Sequence, residues 1–272
     1  MWRLSPPRRR FFLGLVALLV LAVAVPLGAA ALRGDEPVPT VDQASRGPVV
    51  LVPGYGGSAK ALAGLASYLS AEGRQVSVLD LPGNGTGDLR ESAEALADAV
   101  DGLLDDGAPS VDLVGYSAGG EIVRWYVAEL AGAPHVRRVV TLGSPHHGTD
   151  LAAAAVRLAG GACPEACRQL APDSDLLREL NRDETPPGPL WTALWTEDDR
   201  TVVPADSGTL EGALAYAVQD VCPDLEVSHG TLPSTGPTTA MVGAALGVEP
   251  PSRPGPEVCD AEGWTTSVGV SP

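Results

Sequence analysis

The sequence predicts a single α/β domain built on a mostly parallel, doubly wound sheet with helices on both faces. Short apolar runs typical of strands alternate with segments of helical periodicity, and most of these runs are continuously apolar, as in strands buried on both faces. The 272 residues suffice for one large domain with a sizeable core. Right-handed crossovers then place the functional loops at the carboxyl edge of the sheet.

Two sequence patterns define the predicted elements. Strands are assigned to short runs of Val, Leu and other apolar residues, and helices to segments that repeat apolar residues every three to four positions. In chain order they are strand 49–52, helix 59–71, strand 75–79, helix 91–104, strand 111–114, the helix after Ser117, strand 136–142, helix 151–158, strands 190–195 and 213–218, and helix 238–246. Gly73 suits the C-cap of the first helix. Residues 160–189 are the least regular part of the middle of the chain.

The two ends of the chain differ in composition from the predicted domain. Basic residues at 8–10 precede a long apolar run and the small residues 29–31, which is typical of an export signal with cleavage before Leu32. A retained membrane anchor is the alternative, because the uncharged stretch 11–32 is long enough to span a bilayer. The predicted boundaries are 1–31 for the signal, 32–47 for a Pro-rich tether, 48–248 for the main domain and 249–272 for a Pro-rich tail. We expect a secreted protein, or one anchored with its domain outside the cytoplasm.

Charge and cysteine content narrow the possible partners and the compartment. The formal net charge of −16 argues against nucleic acid or an anionic membrane held by charge. Four cysteines in an exported chain suggest two disulfides with three possible pairings. Proximity favours Cys163 with Cys167, which leaves Cys222 with Cys259. A zinc site fits poorly, since one C-x3-C pair has only distant partners.

A Gly-x-Ser-x-Gly motif lies between the strand 111–114 and the following helix. In such a turn the central residue adopts a strained backbone conformation and presents its side chain to open space, which requires the small neighbours Gly115 and Gly119. Ser117 would also lie at the positive end of the helix. The pattern predicts a nucleophilic serine, although a similar turn without chemistry occurs in other α/β proteins.

A serine nucleophile needs a general base, and His229 is the best candidate. When the order along the chain is Ser, Asp or Glu, then His, only His229 lies late enough to have an acid between it and Ser117. His135 precedes a strand and so falls at the wrong edge of the sheet. His146 and His147 follow a strand at the correct edge, and we interpret them as packing or hydrogen-bonding residues near the site.

The acid is expected directly after the strand 190–195, where three carboxylates follow one another. Asp199 is the preferred candidate, because the D-x-x-V spacing makes Val202 an apolar anchor while the acid turns inward. Asp198 is the alternative, and Glu197 fits less well.

Two backbone N–H groups are predicted to stabilise an oxyanion. One belongs to Ala118, directly after the serine, and the other to Tyr55, in the glycine-rich loop 53–57 after the first strand. This loop is a poor match to a dinucleotide-binding turn, since it lacks the last glycine of G-x-G-x-x-G.

The set of motifs resembles secreted bacterial lipases and esterases of the α/β-hydrolase superfamily, and the small triacylglycerol lipases in particular. The matching segments are Val-Pro-Gly-Tyr-Gly-Gly at 52–57, Gly-Tyr-Ser-Ala-Gly-Gly at 115–120, Leu-Gly-Ser-Pro-His-His-Gly-Thr at 142–149, the acidic turn at Asp199 and the late His229. The resemblance implies an α/β-hydrolase fold and hydrolysis of lipid esters by a Ser-Asp-His triad through an acyl-enzyme. This chemistry needs no metal; some lipases hold calcium near the base, but no ligand set for it is matched here, and we expect neither a metal nor a cofactor. Many relatives carry His where this chain has Pro53 and Tyr116, which leaves substrate preference open.

Other functions share part of this pattern. A soluble short-chain carboxylesterase or an exported acyltransferase would use the same triad, and an exported binding protein would use none of it. We expect a monomer that binds an ester substrate and that contacts a lipid interface transiently if the substrate is a lipid. Residues 160–189 are the candidate segment for a lid, with the Cys163–Cys167 pair at one hinge.

Overall fold

A six-stranded parallel sheet lies at the centre of the computed structural model, which describes residues 41–159 and 162–263. The strands are β1 (Val49–Val52), β2 (Val76–Val78), β3 (Val111–Tyr116), β4 (Val136–Leu142), β5 (Leu190–Trp195) and β6 (Leu214–Ala217). Their order across the sheet is β2-β1-β3-β4-β5-β6, and every neighbouring pair is parallel. All the described residues belong to one compact unit. The predicted fold class is therefore confirmed, with a sheet that is parallel throughout.

Helices cover both faces of this sheet. Within the described ranges they are α1 (Ala63–Ala71), α2 (Leu89–Asp105), α3 (Ala118–Glu129), α4 (Asp150–Ala159), α5 (Glu165–Gln169), α6 (Asp175–Leu180) and α7 (Gly236–Ala245). On one face, α1 and α7 pack together over a cluster that includes Leu51, Val114 and Val140. The alternate strand residues, such as Val50 and Leu113, are also buried, and α2 packs there against α3. No helix in the described part of the chain is long and apolar enough to cross a membrane.

The predicted strands 49–52, 136–142 and 190–195 have the observed bounds, and the other elements differ by a few residues at their ends. The irregular segment 160–189 contains the short helices α5 and α6, whose five and six residues are too few for a clear periodic pattern. In the predicted tether, Arg137 Nη1 donates a hydrogen bond of 3.0 Å to the Gln43 carbonyl, so this end contacts β4. The predicted export signal 1–31 lies outside the described residues.

Two disulfides join the cysteines in the pairs that proximity favoured. Cys163 pairs with Cys167 of α5, and Cys222 pairs with Cys259 across 37 positions of the chain. The second bond ties the beginning of the Pro-rich tail to the loop after β6.

Candidate active site

Ser117 lies at a sharp turn between β3 and α3 with a φ of 54° and a ψ of −128°. A positive φ is rare for a residue with a side chain and costs about 1–3 kcal/mol, so the surrounding structure must hold it. The turn is possible because strand and helix approach closely at two glycines. A Cβ on Gly119 would lie 2.2 Å from the Val52 carbonyl oxygen, and one on Gly115 would lie 2.6 Å from the Gly119 carbonyl oxygen.

The fold brings Ser117, His229 and Asp199 together at the carboxyl edge of the sheet. His229 Nε2 lies 3.1 Å from Ser117 Oγ, and His229 Nδ1 lies 2.7 Å from Asp199 Oδ2. Asp199 follows β5 and His229 opens a short 3-10 turn before α7. Both are largely buried, with exposed fractions of 5% and 8%. This geometry permits a proton to move from the hydroxyl to the imidazole while the carboxylate orients the ring.

Asp199 is held by the backbone that follows it. Its Oδ1 accepts hydrogen bonds from the N–H groups of Thr201 and Val202, each 2.8 Å long, while Oδ2 faces His229. Val202 is 2% exposed, in keeping with an apolar anchor. The alternative acid, Asp198, points elsewhere, since its Oδ2 accepts from Gln219 Nε2 at 3.3 Å.

Tyr116, directly before the serine, contacts the histidine that is the candidate base. Its hydroxyl donates a 3.0 Å hydrogen bond to the backbone carbonyl of His229, and the two ring centroids are 5.2 Å apart. Burial, with a smaller contribution from the negative charge of Asp199, raises the pKa of Tyr116 to about 12, so the hydroxyl stays a donor at neutral pH. The sequence marked Tyr116 only as a departure from related proteins.

The two predicted oxyanion donors belong to the residue after the serine and to a loop that passes close to it. Ala118 is the first residue of α3, and the N–H groups of a first helical turn have no acceptor within the helix. The chain also passes very close to the serine just before Tyr55, because a Cβ on Gly54 would lie 2.7 Å from Ser117 Cβ. The Tyr55 peptide is thus close to the nucleophile, with its side chain 47% exposed.

His146 takes no part in this chain of hydrogen bonds and forms a separate buried cluster behind the serine. Its Nδ1 lies 2.6 Å from Glu121 Oε1 on α3, and the other oxygen of that carboxylate accepts from Arg124 Nη1 at 2.9 Å. Burial lowers the pKa of His146. Burial alone would raise the pKa of Glu121, but His146 and Arg124 hold it below its usual value.

This cluster also reaches α6 and the segment after it. Arg124 Nη2 donates to the carbonyl of Leu180 at 3.1 Å, and Asn181 Nδ2 donates to the carbonyl of His146 at 2.9 Å. His147 is partly exposed and pairs with Glu184 through Nε2 at 3.0 Å. Both histidines therefore have the packing and hydrogen-bonding surroundings that the sequence interpretation assigned to them. The sequence interpretation missed the acidic residue of this cluster. The available signal was its position four residues after the serine, on a helix face that becomes buried.

An apolar pocket of about 220 Å³ opens beside Ser117. Its walls include Leu151, Ala152 and Ala155 of α4, Cys167 of α5, Leu170 and Val202. A larger cavity of about 460 Å³ lies at the opposite edge of the sheet, lined by charged residues that include Arg46 and Asp106. It contains no nucleophile, so the chemistry points to the smaller pocket.

No metal centre is indicated by the described residues. Within 41–159 and 162–263, no group of three or more His, Cys, Asp or Glu side chains is arranged to hold a metal ion.

Comparisons with known proteins agree with this architecture. The family described as alpha/beta hydrolase fold matches residues 47–159, and the family described as Lipase (class 2) matches residues 104–221. The structure is similar to lipase B from Aspergillus fumigatus, with a TM-score of 0.65 and 20% identity over 81% of this chain and 58% of the fungal one. This chain thus spans little more than half of that lipase.

This chain covers more of the length of two bacterial structures. The mature form of the Bacillus licheniformis lipase BlEst2 has a TM-score of 0.57 and 19% identity over 73% of this chain and 89% of the other. A gene product of Listeria innocua has a TM-score of 0.53 and 20% identity over 74% and 94%. At these identities the structures show a shared fold, and the two family matches add the relationship in sequence. The chain therefore has the α/β-hydrolase fold, and two overlapping parts of its sequence match the models of the alpha/beta hydrolase fold family and the Lipase (class 2) family.

Proposed function

We propose that this protein hydrolyses carboxylic esters of lipids through a Ser117–His229–Asp199 triad. The observation that carries the proposal is the continuous chain of contacts from the Asp199 carboxylate through the imidazole to the serine hydroxyl, at 2.7 and 3.1 Å. A serine hydroxyl is a weak nucleophile unless a neighbouring base accepts its proton. The strained turn exposes this hydroxyl to the apolar pocket.

The reaction has two steps in this proposal. His229 accepts the Ser117 proton as the oxygen attacks the ester carbonyl, and the N–H groups of Tyr55 and Ala118 stabilise the oxyanion. His229 then protonates the leaving alcohol, which departs and leaves an acyl group on the serine. Water, deprotonated by His229, attacks this acyl-enzyme and releases the carboxylic acid. Asp199 orients the imidazole and stabilises its positive charge in both steps.

The surroundings of the pocket favour an acyl group without charge. Its lining is mainly aliphatic, and two of its residues, Tyr55 and Leu151, are 47% and 59% exposed at the surface. Leu158, two turns further along α4, is 89% exposed. Tyr55 and Leu151 therefore present apolar surface at the pocket beside the serine, which suits contact with an uncharged lipid phase. The net charge of −16 disfavours a strongly anionic one.

We further propose that the protein is exported and that residues 48–248 are its catalytic domain. Disulfides persist in oxidising compartments, and all four cysteines of the chain are paired. The segments 1–31, 32–47 and 249–272 are proposed as signal, tether and tail. The amino-terminal sequence of protein recovered from culture medium tests this, and a start at Met1 would contradict cleavage of the signal.

Labelling with a fluorophosphonate probe tests the nucleophile directly. The proposal expects one label per molecule on the peptide that contains Ser117, and none on Ser117→Ala. Ser144→Ala is a matched control, because Ser144 is a buried serine nearby and should leave labelling intact. Rates on dissolved p-nitrophenyl esters and on emulsified triacylglycerol complete the test. Labelling elsewhere, or wild-type protein with no esterase activity, would contradict the proposal.

A further inference from the structure

One wall of the apolar pocket is formed by a residue of a disulfide. Cys167 lines the pocket together with Leu170 and with side chains of α4 such as Ala155, and α5 packs against α4. Cys163, its partner, is 3% exposed. The bond thus connects the pocket wall to a buried residue four positions earlier in the chain.

The helix that carries this wall is too short to be stable by itself. α5 has only five residues, and isolated helices of this length do not form in water. Its carboxyl end is held by the rest of the protein, since Gln169 Oε1 accepts from Leu89 N at 2.8 Å and the Leu170 carbonyl accepts from Thr149 N at 3.0 Å. At its amino end, the Ala166 N–H donates one hydrogen bond of 3.2 Å to the Thr86 carbonyl, and the disulfide spans the first turn.

The two disulfides of the chain therefore differ in what they can do. The stabilisation from a cross-link grows mainly with the logarithm of the length of the loop that it closes. The disulfide across four positions therefore stabilises the whole fold less than the disulfide across 37 positions. The Cys222–Cys259 bond lies among Val221, Leu225 and Pro256, and none of these residues lines the apolar pocket. It provides a matched control for the loss of a disulfide without a change in the pocket.

We propose that the Cys163–Cys167 disulfide determines acyl-chain specificity by holding the α5 wall of the pocket in place. This inference rests on the proposed esterase function. The pocket volume of about 220 Å³ is below the roughly 300–1,000 Å³ typical of sites for drug-sized ligands, so it fits a short or medium linear acyl chain. An acetyl group stays beside Ser117, whereas a longer chain reaches the wall. Loss of the bond should therefore affect longer esters selectively.

The test compares three proteins on p-nitrophenyl esters from acetate to dodecanoate. They are the wild type, the double variant Cys163→Ser/Cys167→Ser and the control Cys222→Ser/Cys259→Ser. In the first variant, kcat/KM for the best wild-type ester should fall about tenfold more than kcat/KM for acetate, with the loss mainly in KM, because a contact worth about one methylene is weakened. The control should keep the wild-type ratio between the two esters and lose more thermal stability.

Several outcomes separate this inference from the function on which it rests. If the wild type cleaves no ester, the proposed function fails. If it cleaves esters and the first variant keeps the same chain-length ratio, the disulfide does not determine specificity and the inference is overturned. The same holds if the control changes the ratio as strongly. If the first variant does not fold, wild-type protein reduced under native conditions, with loss of this bond alone verified by peptide mass, provides the same ratio.

Discussion

Tyr116→Phe tests whether the residue before the nucleophile positions the base. The substitution removes one hydroxyl and leaves the ring, so the 5.2 Å contact with the imidazole is retained. It deletes the 3.0 Å hydrogen bond to the His229 carbonyl, which is buried with its residue. The turn that carries His229 then loses a polar contact with β3.

The expected magnitude follows from the burial of both groups. A buried acceptor left without a donor costs about 1–3 kcal/mol of stability. We assume that half of the upper figure is added to the activation free energy because the imidazole is misplaced. kcat then falls about tenfold, since 1.4 kcal/mol corresponds to one factor of ten. KM should stay near the wild-type value, because Tyr116 is not among the residues that line the pocket. The pKa of Tyr116 is about 12, so the ratio of variant to wild type should be constant across neutral pH.

Steady-state kinetics with a dissolved ester and thermal unfolding measure the two effects. Tyr126→Phe is the matched control, because Tyr126 is 2% exposed and its hydroxyl has no hydrogen-bond partner among the described residues. It should change neither kcat nor KM. A Tyr116→Phe enzyme with wild-type kcat, or a loss of kcat equal to that of the control, would refute a positioning role.

Three other predictions address the acid, the close approach at the serine and the buried histidine. Asp199→Asn should lower kcat by about 10⁴-fold because it favours the wrong tautomer of the base, whereas Asp198→Asn should leave kcat close to wild type. A large loss of kcat in Asp198→Asn with little loss in Asp199→Asn would contradict the assignment. Gly54→Ala should lower both kcat and stability, the latter by about 1–3 kcal/mol, because its Cβ would lie 2.7 Å from that of the nucleophile. Gly102→Ala, where nothing lies within 4 Å, is the control, and equal losses in both variants would exclude the steric explanation. Burial lowers the pKa of His146 in the folded state. The contribution of this histidine to the free energy of unfolding is therefore present above the unfolded-state pKa of about 6.5, and it is lost as the pH falls towards the pKa of the folded state. The Tm of His146→Gln should therefore fall less on acidification than that of the wild type, and parallel curves would refute this.

Much of the fold could be predicted because its patterns are local. β1 is a continuous apolar run followed by a glycine-rich segment, and β4 and β5 are rich in Val, Leu and Trp, so even the bounds of these strands agree with the sequence. The turn at Ser117 is also local, since it needs only a strand, a helix and small residues between them. The short helices α5 and α6 were not predicted, because five or six residues carry too little periodicity and their stability comes from contacts elsewhere.

The sequence by itself determined the parallel α/β architecture, the strained serine and a short list of partners for it, because backbone preference and side-chain periodicity act over a few residues. Only the tertiary structure decided which neighbouring carboxylate faces His229, which acid partners His146, and which side chains form the pocket wall. Each of these contacts joins residues far apart in the chain. Their distances depend on how β3, β4 and β5 place their following loops at one edge of the sheet, which no local pattern specifies.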